Sequence, residues 1–480
     1  MTRTFCVKMV AAFIFISFFI TCGLAAETGQ QSARAGERKQ AAFSGQQDAE
    51  TVQQSAKSGE QEQTGEQEPV KTGWTFGALP AVSYNSDLGL QYGGLVNLYY
   101  FGDGSSYPQY MHSIYAEISR YTKGSGVNRL FYDSGYLLPG LRVTADLSYF
   151  TEKALDFYGF NGYNSFYSSY FEDEDHPGYL SRMFYRHERN TFRFTLDFQG
   201  RLAGRSLRWI GGLGLMNTGI ATVDIASLNE GRDPEDMLPD IPGLYDLYVS
   251  EGLITPEESK GGNTHHFKLG IIYDTRDNEP NPMRGMWSEA VVFAAPGFMG
   301  NGNFAYSRIS LTHRQYFTII ENDLSFAYRL NYQGTLSGDV PFYMLPYMIN
   351  SFSLSSNIDG LGGSKTVRGV LRNRIVGEGI ASGNFELRWK FYRTVLFNQN
   401  IYLALNGFTD AGTVVSKREI SGDEIPEGFY APGEESLHIS LGGGFRIAMN
   451  ENFIIAVDYG KPLDNRDGGG GLYIGLNYLF

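Results

Sequence analysis

Asn384-Phe385-Glu386-Leu387-Arg388-Trp389-Lys390-Phe391 alternates without a break between polar and apolar side chains. Successive side chains of an extended chain point to opposite faces. Phe385, Leu387, Trp389 and Phe391 therefore share one face, and Asn384, Glu386, Arg388 and Lys390 share the other. The same period recurs upstream, with Phe192, Phe194, Leu196 and Phe198 against Arg193, Thr195, Asp197 and Gln199. It recurs again with Leu324, Phe326, Tyr328, Leu330 and Tyr332 against Ser325, Arg329, Asn331 and Gln333, and at the C-terminus with Leu472, Ile474, Leu476, Tyr478 and Phe480. A soluble sandwich also alternates, but here the apolar face is rich in aromatics at the segment ends, and charges of both signs crowd the polar face. Aromatics suit the interfacial girdles of a membrane barrel, and charges suit its wet lumen. On the lipid face each charge would cost about 2–4 kcal/mol at the midplane. The pattern predicts an all-β fold, a transmembrane antiparallel β-barrel.

Working outward, sixteen alternating segments emerge, at 74–84, 88–101, 109–121, 126–135, 139–151, 182–202, 206–222, 264–275, 286–297, 302–318, 322–334, 380–393, 399–412, 437–449, 452–460 and 471–480. With the N-terminus on the periplasmic side, the long connections 152–181, 223–263, 335–379 and 413–436 all fall at the outer end. Most connections at the other end are short, which is the asymmetry of an outer-membrane barrel.

Before the first strand the texture differs. Arg3 and Lys8 precede an apolar run from Met9 to Ile20 and the small residues up to Ala26, the pattern of a secretory signal peptide over 1–26. Cys22 leaves lipid attachment as an alternative, which Phe19 and Thr21 fit poorly. Residues 27–72 are Gln, Glu, Gly, Ser, Ala and Lys with Phe43 the only aromatic up to Lys71, a composition that predicts a disordered periplasmic linker. The barrel then occupies 73–480. Both cysteines, Cys6 and Cys22, lie in the leader, so a zinc-thiolate site, a disulfide framework and a cysteine nucleophile are excluded from the exported chain. No later apolar run reaches the 18 or so residues of a spanning helix. A net charge of −13 excludes nucleic acid as a natural partner.

Three separated stretches carry a resemblance. Tyr273-Asp274-Thr275-Arg276-Asp277-Asn278 is followed by Pro282 and Gly285; Gly362-Gly363-Ser364-Lys365-Thr366-Val367-Arg368-Gly369 lies in the longest C-terminal connection; and Phe408-Thr409-Asp410-Ala411-Gly412 precedes Gly442-Gly443-Gly444-Phe445-Arg446 and Val457-Asp458-Tyr459-Gly460. In this order they resemble the BamA/TamA family of outer-membrane assembly and translocation barrels, the bacterial surface-antigen family. The resemblance spans about 264–480. It implies that Asp274, Arg276, Asp277, Pro282 and Gly285 form a periplasmic turn. It also implies that loop 335–379 folds into the lumen, where Val367, Arg368 and Gly369 lock onto carboxylates of the wall. The alternation itself turns Glu386 and Asp410 inward, and an arginine's planar fork suits a carboxylate. Tyr478 and Phe480 read as the C-terminal barrel signal. Gly77 and Pro80 weaken the first strand, since proline cannot donate to a ladder; the resemblance then implies a seam between first and last strands that opens sideways, and the alternative is that Pro80 simply sits at a strand end. Family members that assemble proteins usually carry POTRA domains, and the polar linker is too short for one. Either a separate periplasmic POTRA-bearing or chaperone partner supplies client capture, or the barrel has a narrower task.

Reaction chemistry finds no support. The seven histidines lack metal-binding spacing, and no window gathers a nucleophile with its base. No metal or cofactor is expected. The acidic connection 223–263 and the run Glu172-Asp173-Glu174-Asp175 read as solvated loops, with divalent cations bridging outer-membrane glycolipid as the alternative. The sequence thus predicts an outer-membrane barrel that assists insertion or translocation of a client outer-membrane or secreted protein. Its rivals are a passive solute channel selected by Arg142, Arg193, Asp197 and Arg388, and a structural surface antigen.

Overall fold

The computed structural model describes residues 70–107, 109–279, 281–351, 360–396, 399–420, 434–449 and 453–480. The expected leader, and the linker up to residue 69, lie outside them. One closed antiparallel sheet contains eighteen ladder segments, of which two pairs are halves of interrupted wall strands, leaving sixteen positions around the wall. The strands are β1 (Trp74–Pro80, resumed at Ser83–Asn85), β2 (Gly89–Tyr100), β3 (His112–Tyr121), β4 (Gly126–Leu138), β5 (Leu141–Asp156), β6 (Arg186–Ala203) and β7 (Leu207–Ala221). Next come β8 (Gly261–Asn263, resumed at His266–Asp274), β9 (Gly285–Ala295), β10 (Tyr306–Ile320) and β11 (Leu324–Gly338). The wall ends with β12 (Gly379–Leu396), β13 (Gln399–Ser416), β14 (His438–Met449), β15 (Phe453–Pro462) and β16 (Gly471–Leu476). Each pairs with its neighbour in the chain, and β16 returns to β1.

Burial is inverted relative to a soluble protein. On β12, Asn384, Glu386 and Arg388 are buried while Phe385, Leu387 and Trp389 are exposed. On neighbouring strands Ser310, Gln333, Asp410 and Arg446 are buried, and Leu311, Leu330, Leu405 and Leu441 are exposed. An apolar outer surface around a polar interior is what a lipid solvent selects. Tight turns close one end: Pro139-Gly140 between β4 and β5, with Gly140 at φ 76°, and Asn322 at φ 63° between β10 and β11.

At the other end the long connections extend the wall before they leave it. β5 runs to Asp156 and β6 starts only at Arg186, because the ladder continues past a bulge between Glu152 and Leu155 where strict alternation fails. The connection after β7 is not a plain solvated loop. It carries α1 (Ile225–Asn229), α2 (Leu244–Ser250) and α3 (Pro256–Ser259), and its acids are used as caps. Asp224 accepts from the amide of Ser227, Asp246 from Gly243 and Glu258 from Thr255. Glu258 is fully buried and also receives the amide of Phe342 and the guanidinium of Arg418 at 2.7 Å. Around it Phe157, Tyr158, Phe160, Phe184, Tyr245, Tyr248 and Phe342 pack into an aromatic cap over this end.

The last strand corrects the sequence reading. It stops at Leu476, and Asn477 takes a left-handed φ of 67° that turns the chain off the wall. Tyr478 then buries against Tyr402, Ala404, Ala448 and Ile454, and Phe480 against Tyr316 and Ala327. These two aromatics therefore do not continue the lipid-facing row of Leu472 and Leu476. The period of two is blind to a single residue with positive φ.

Candidate functional site

The connection between β11 and β12 enters the lumen. Gly360, Gly362, Gly363 and Gly369 all have positive φ, so the 360–369 segment turns back on itself in a way that a side chain at those positions would resist. Thr366 ties the turn, receiving the amide of Gly362 at 2.9 Å and donating to its carbonyl at 2.8 Å. Leu361, Val367, Val370 and Ile375 pack against Ile380 of β12 and Val414 of β13. This anchors Arg368 within the lumen, 1% exposed.

Three strands supply its partners. Asp410 on β13 takes two parallel bonds, Nε to Oδ2 at 2.8 Å and Nη2 to Oδ1 at 3.0 Å, and its Oδ2 also accepts the Arg368 amide at 3.1 Å. Glu386 on β12 lies 2.7 Å from Nη1, and Asp458 on β15 lies 3.4 Å from it. Phe408 stacks beneath, its ring centre 3.4 Å from the guanidinium carbon. The carboxylates are shared in turn. Arg388 binds Glu386 at 2.8 Å, and Arg446 binds both oxygens of Asp458 at 2.9 Å. Six charged groups thus alternate in sign across β12 to β15. Removing one partner from such a set leaves an uncompensated buried charge and is strongly destabilising.

The structure brings together Val367, Arg368, Gly369, Glu386 and Asp410. Asp458, Arg446, Asn384 and Phe408 belong to the same cluster and were not singled out. Asp458 stands in the quoted Val457-Asp458-Tyr459-Gly460, at an inward position of its strand, so the alternation carried the signal. Gly460 explains that motif's last residue: a Cβ there would sit 2.5 Å from the Arg368 carbonyl oxygen, while a Cβ on Gly369 would sit 2.4 Å from the backbone of Gly460.

The remaining predicted residues lie apart. At the short-turn end Arg276 forks onto Asp274 at 3.0 and 3.2 Å, and Arg208 of β7 meets the same carboxylate at 3.1 Å. Asp277 receives the amides of Asn278, Met283 and Arg284; Gly285 has φ 93°, and Pro282 is buried. Asn281 of this turn reaches Tyr402 on β13 at 3.0 Å, so the turn reaches across the mouth of the barrel. Arg388 donates to the Phe480 carbonyl at 2.9 Å and stands 4.3 Å from the Tyr478 ring centre. The four groups of the channel alternative are all paired. Arg142 binds Asp133 at 2.7 Å, Arg193 binds Asp146 at 3.2 Å, Lys268 binds Asp197 at 2.8 Å, and Arg388 binds Glu386.

The seam is the thinnest join of the wall. Gly77 and Pro80 lie in the first half of β1, which pairs with β2 alone, Trp74 opposite Tyr100 through Pro80 opposite Gly94. Only the short second half meets β16, in two residue pairs, Tyr473 with Asn85 and Ile474 with Tyr84. Ser86 adds bonds to the backbone of Leu472. Asp87 follows in the β1–β2 turn. Burial, then the nearby charge of Asp156, push its carboxyl up to about 7 against the opposing pull of Arg372, Lys123 and Arg186.

Residues 112–480 match the Omp85 superfamily domain. BamA from Haemophilus ducreyi, in a form lacking POTRA domains 1–3, superposes with a TM-score of 0.52 at 16% identity, over 85% of this chain and 70% of that one. CdiB from Escherichia coli superposes with a TM-score of 0.50 at 10% identity, over 85% of this chain and 63% of that one, so this chain spans less than two thirds of its length. At these identities the shared property is the fold. No curated protein matches the sequence.

Proposed function

The chain belongs to the Omp85 superfamily of outer-membrane barrels, and from that premise we propose that it assists insertion or translocation of proteins at the bacterial outer membrane. The observation that carries this reading is the seam: a wall that is otherwise fully paired is closed by two residue pairs. An unpaired strand edge is a template for another strand, and soluble and membrane barrels alike normally remove it. Here the first half of β1 presents such an edge beside an inward-turned chain end. A client strand adds to that edge and passes into lipid through the parted seam. The pairing of Arg142, Arg193, Asp197 and Arg388 and the aromatic cap speak against a solute channel. The residues around Arg368 act as a lock that sets the lumen loop, with no reaction at that site. Residues 1–26 direct export as a cleaved leader, 27–72 act as a tether, and a separate periplasmic partner delivers the client.

Depleting the protein and quantifying the outer-membrane proteome by mass spectrometry tests the reading. Loss of one or more barrels or surface proteins with their transcripts intact is the expected result and names the clients. An unchanged profile together with steady single-channel conductance of the purified protein overturns it in favour of a pore.

A further inference from the structure

The two residues of one seam pair both reach into the lumen loop. Tyr473 of β16 faces the lumen, and its hydroxyl oxygen accepts the amide of Gly369 at 3.0 Å. Its register partner Asn85 on β1 donates from Nδ2 to the hydroxyl of Ser364 at 3.0 Å. The Asn85 amide is itself oriented, since its Oδ1 accepts the backbone N–H of Asp87 at 2.8 Å. Gly363 fits under the same turn, where an added Cβ would lie 2.9 Å from Asp87 Oδ2. Ser364 and Gly369 stand on the two sides of the loop tip whose centre, Arg368, is fixed to β12, β13 and β15. The tip therefore holds the last strand by one limb and the first strand by the other, while its centre is anchored on the well-paired wall.

We propose that the tip of the lumen loop is a clasp on the seam, so that parting of β1 from β16 and withdrawal of residues 364–369 from the wall are one event. The inference rests on the seam reading above but needs no client. Any signal that moves the loop opens the wall, and any strand that wedges the wall open releases the loop. Asn85 and Tyr473 are positioning residues in this scheme, acting on the seam through Ser364 and Gly369.

The test uses the full chain purified from outer membranes, with spin labels at Ala78 and Leu472, both lipid-facing, and a third label position at Lys365 for the loop. Distances between Ala78 and Leu472 give the open fraction of the seam directly. Ser364→Ala removes a hydroxyl, and Tyr473→Phe removes only the acceptor for Gly369. Each is expected to raise the open fraction about fivefold, the effect of one net hydrogen bond. Asn85→Ala combined with Ser364→Ala is expected to go no further than Asn85→Ala alone, since that variant has already lost the bond to Ser364. Label pairs from Lys365 to the wall are expected to shift in the same samples. Electrophoretic folding of each variant is checked first, and if Tyr473→Phe does not fold, Asn85→Ala supplies the same reading. An unchanged seam in the folded variants, or a loop that moves while the seam stays closed, overturns the proposal. Seam and loop moving together in a protein whose depletion leaves the proteome unchanged would sustain the clasp and refute the client reading separately.

Discussion

The wall has a strong side and a weak side. Between β12 and β13 the ladder runs from Gly379 opposite Ser416 to Leu396 opposite Gln399, and inside it Arg368, Glu386, Asp410, Asp458 and their flanking arginines form one closed set of charges. Between β16 and β1 the ladder has two pairs, and just below it the first strand is broken and the last one turned inward. Both joins belong to one sheet and obey the same hydrogen-bond rules. The difference teaches that closure is not distributed evenly. Long ladders and buried ion pairs run round the rest of the wall, whereas the seam leans on side chains of a loop that β12, β13 and β15 anchor.

Breaking the strong side should have the largest effect. Arg368→Ala leaves Asp410 and Glu386 without their main partner, and a loss of about 3–5 kcal/mol is expected where water is excluded. Export should persist while heat-resistant electrophoretic folding weakens, and Arg368→Lys, which keeps the charge but not the fork, should fall between. A middle effect is expected from Gly460→Ala, whose methyl would overlap the Arg368 carbonyl oxygen. Overpacking of this kind costs about 1–3 kcal/mol, to be read as a lowered urea midpoint with an unchanged slope. The weak side is probed by the smallest change. Asp87 titrates near 7 in the folded protein against 3.8 for a free carboxyl. Its contribution to seam stability is fully present below about 4 and is lost as pH rises through about 7. The groups facing it are Asp156, Arg372, Lys123 and Arg186. Amide exchange at Leu472, Tyr473 and Ile474, corrected for intrinsic rates, should therefore quicken from pH 5 to pH 8, and Asp87→Asn should flatten that dependence.

The strong side was legible in the sequence to a large degree. Strict alternation around Glu386 and Asp410 placed both carboxylates inward, and sixteen alternating segments correspond to the sixteen wall strands. What escaped was set by single residues or distant contacts. Asn477 carries no period that announces a turn, so Tyr478 and Phe480 read as wall residues although they bury in the lumen. The acids of the connection after β7 look like a solvated run because the burial of Glu258 depends on partners far along the chain, Phe342 and Arg418. Pro80 pointed to a weak seam, but the bond of Asn85 to Ser364 spans 279 positions and has no local trace.

The aromatic cap has a consequence for permeability. Phe157, Tyr158, Phe160, Tyr245, Tyr248 and Phe342 form a hydrophobic lid built from loops other than the two hairpin ends at the seam. Of these, Phe342 stands on the connection that carries the clasp, ahead of residues 364–369, while the others stand on the connections after β5 and β7. A lid resting mainly on those two connections would let the wall part toward lipid without itself being dismantled, so an added bile salt is expected to leak no faster when the seam is wedged open.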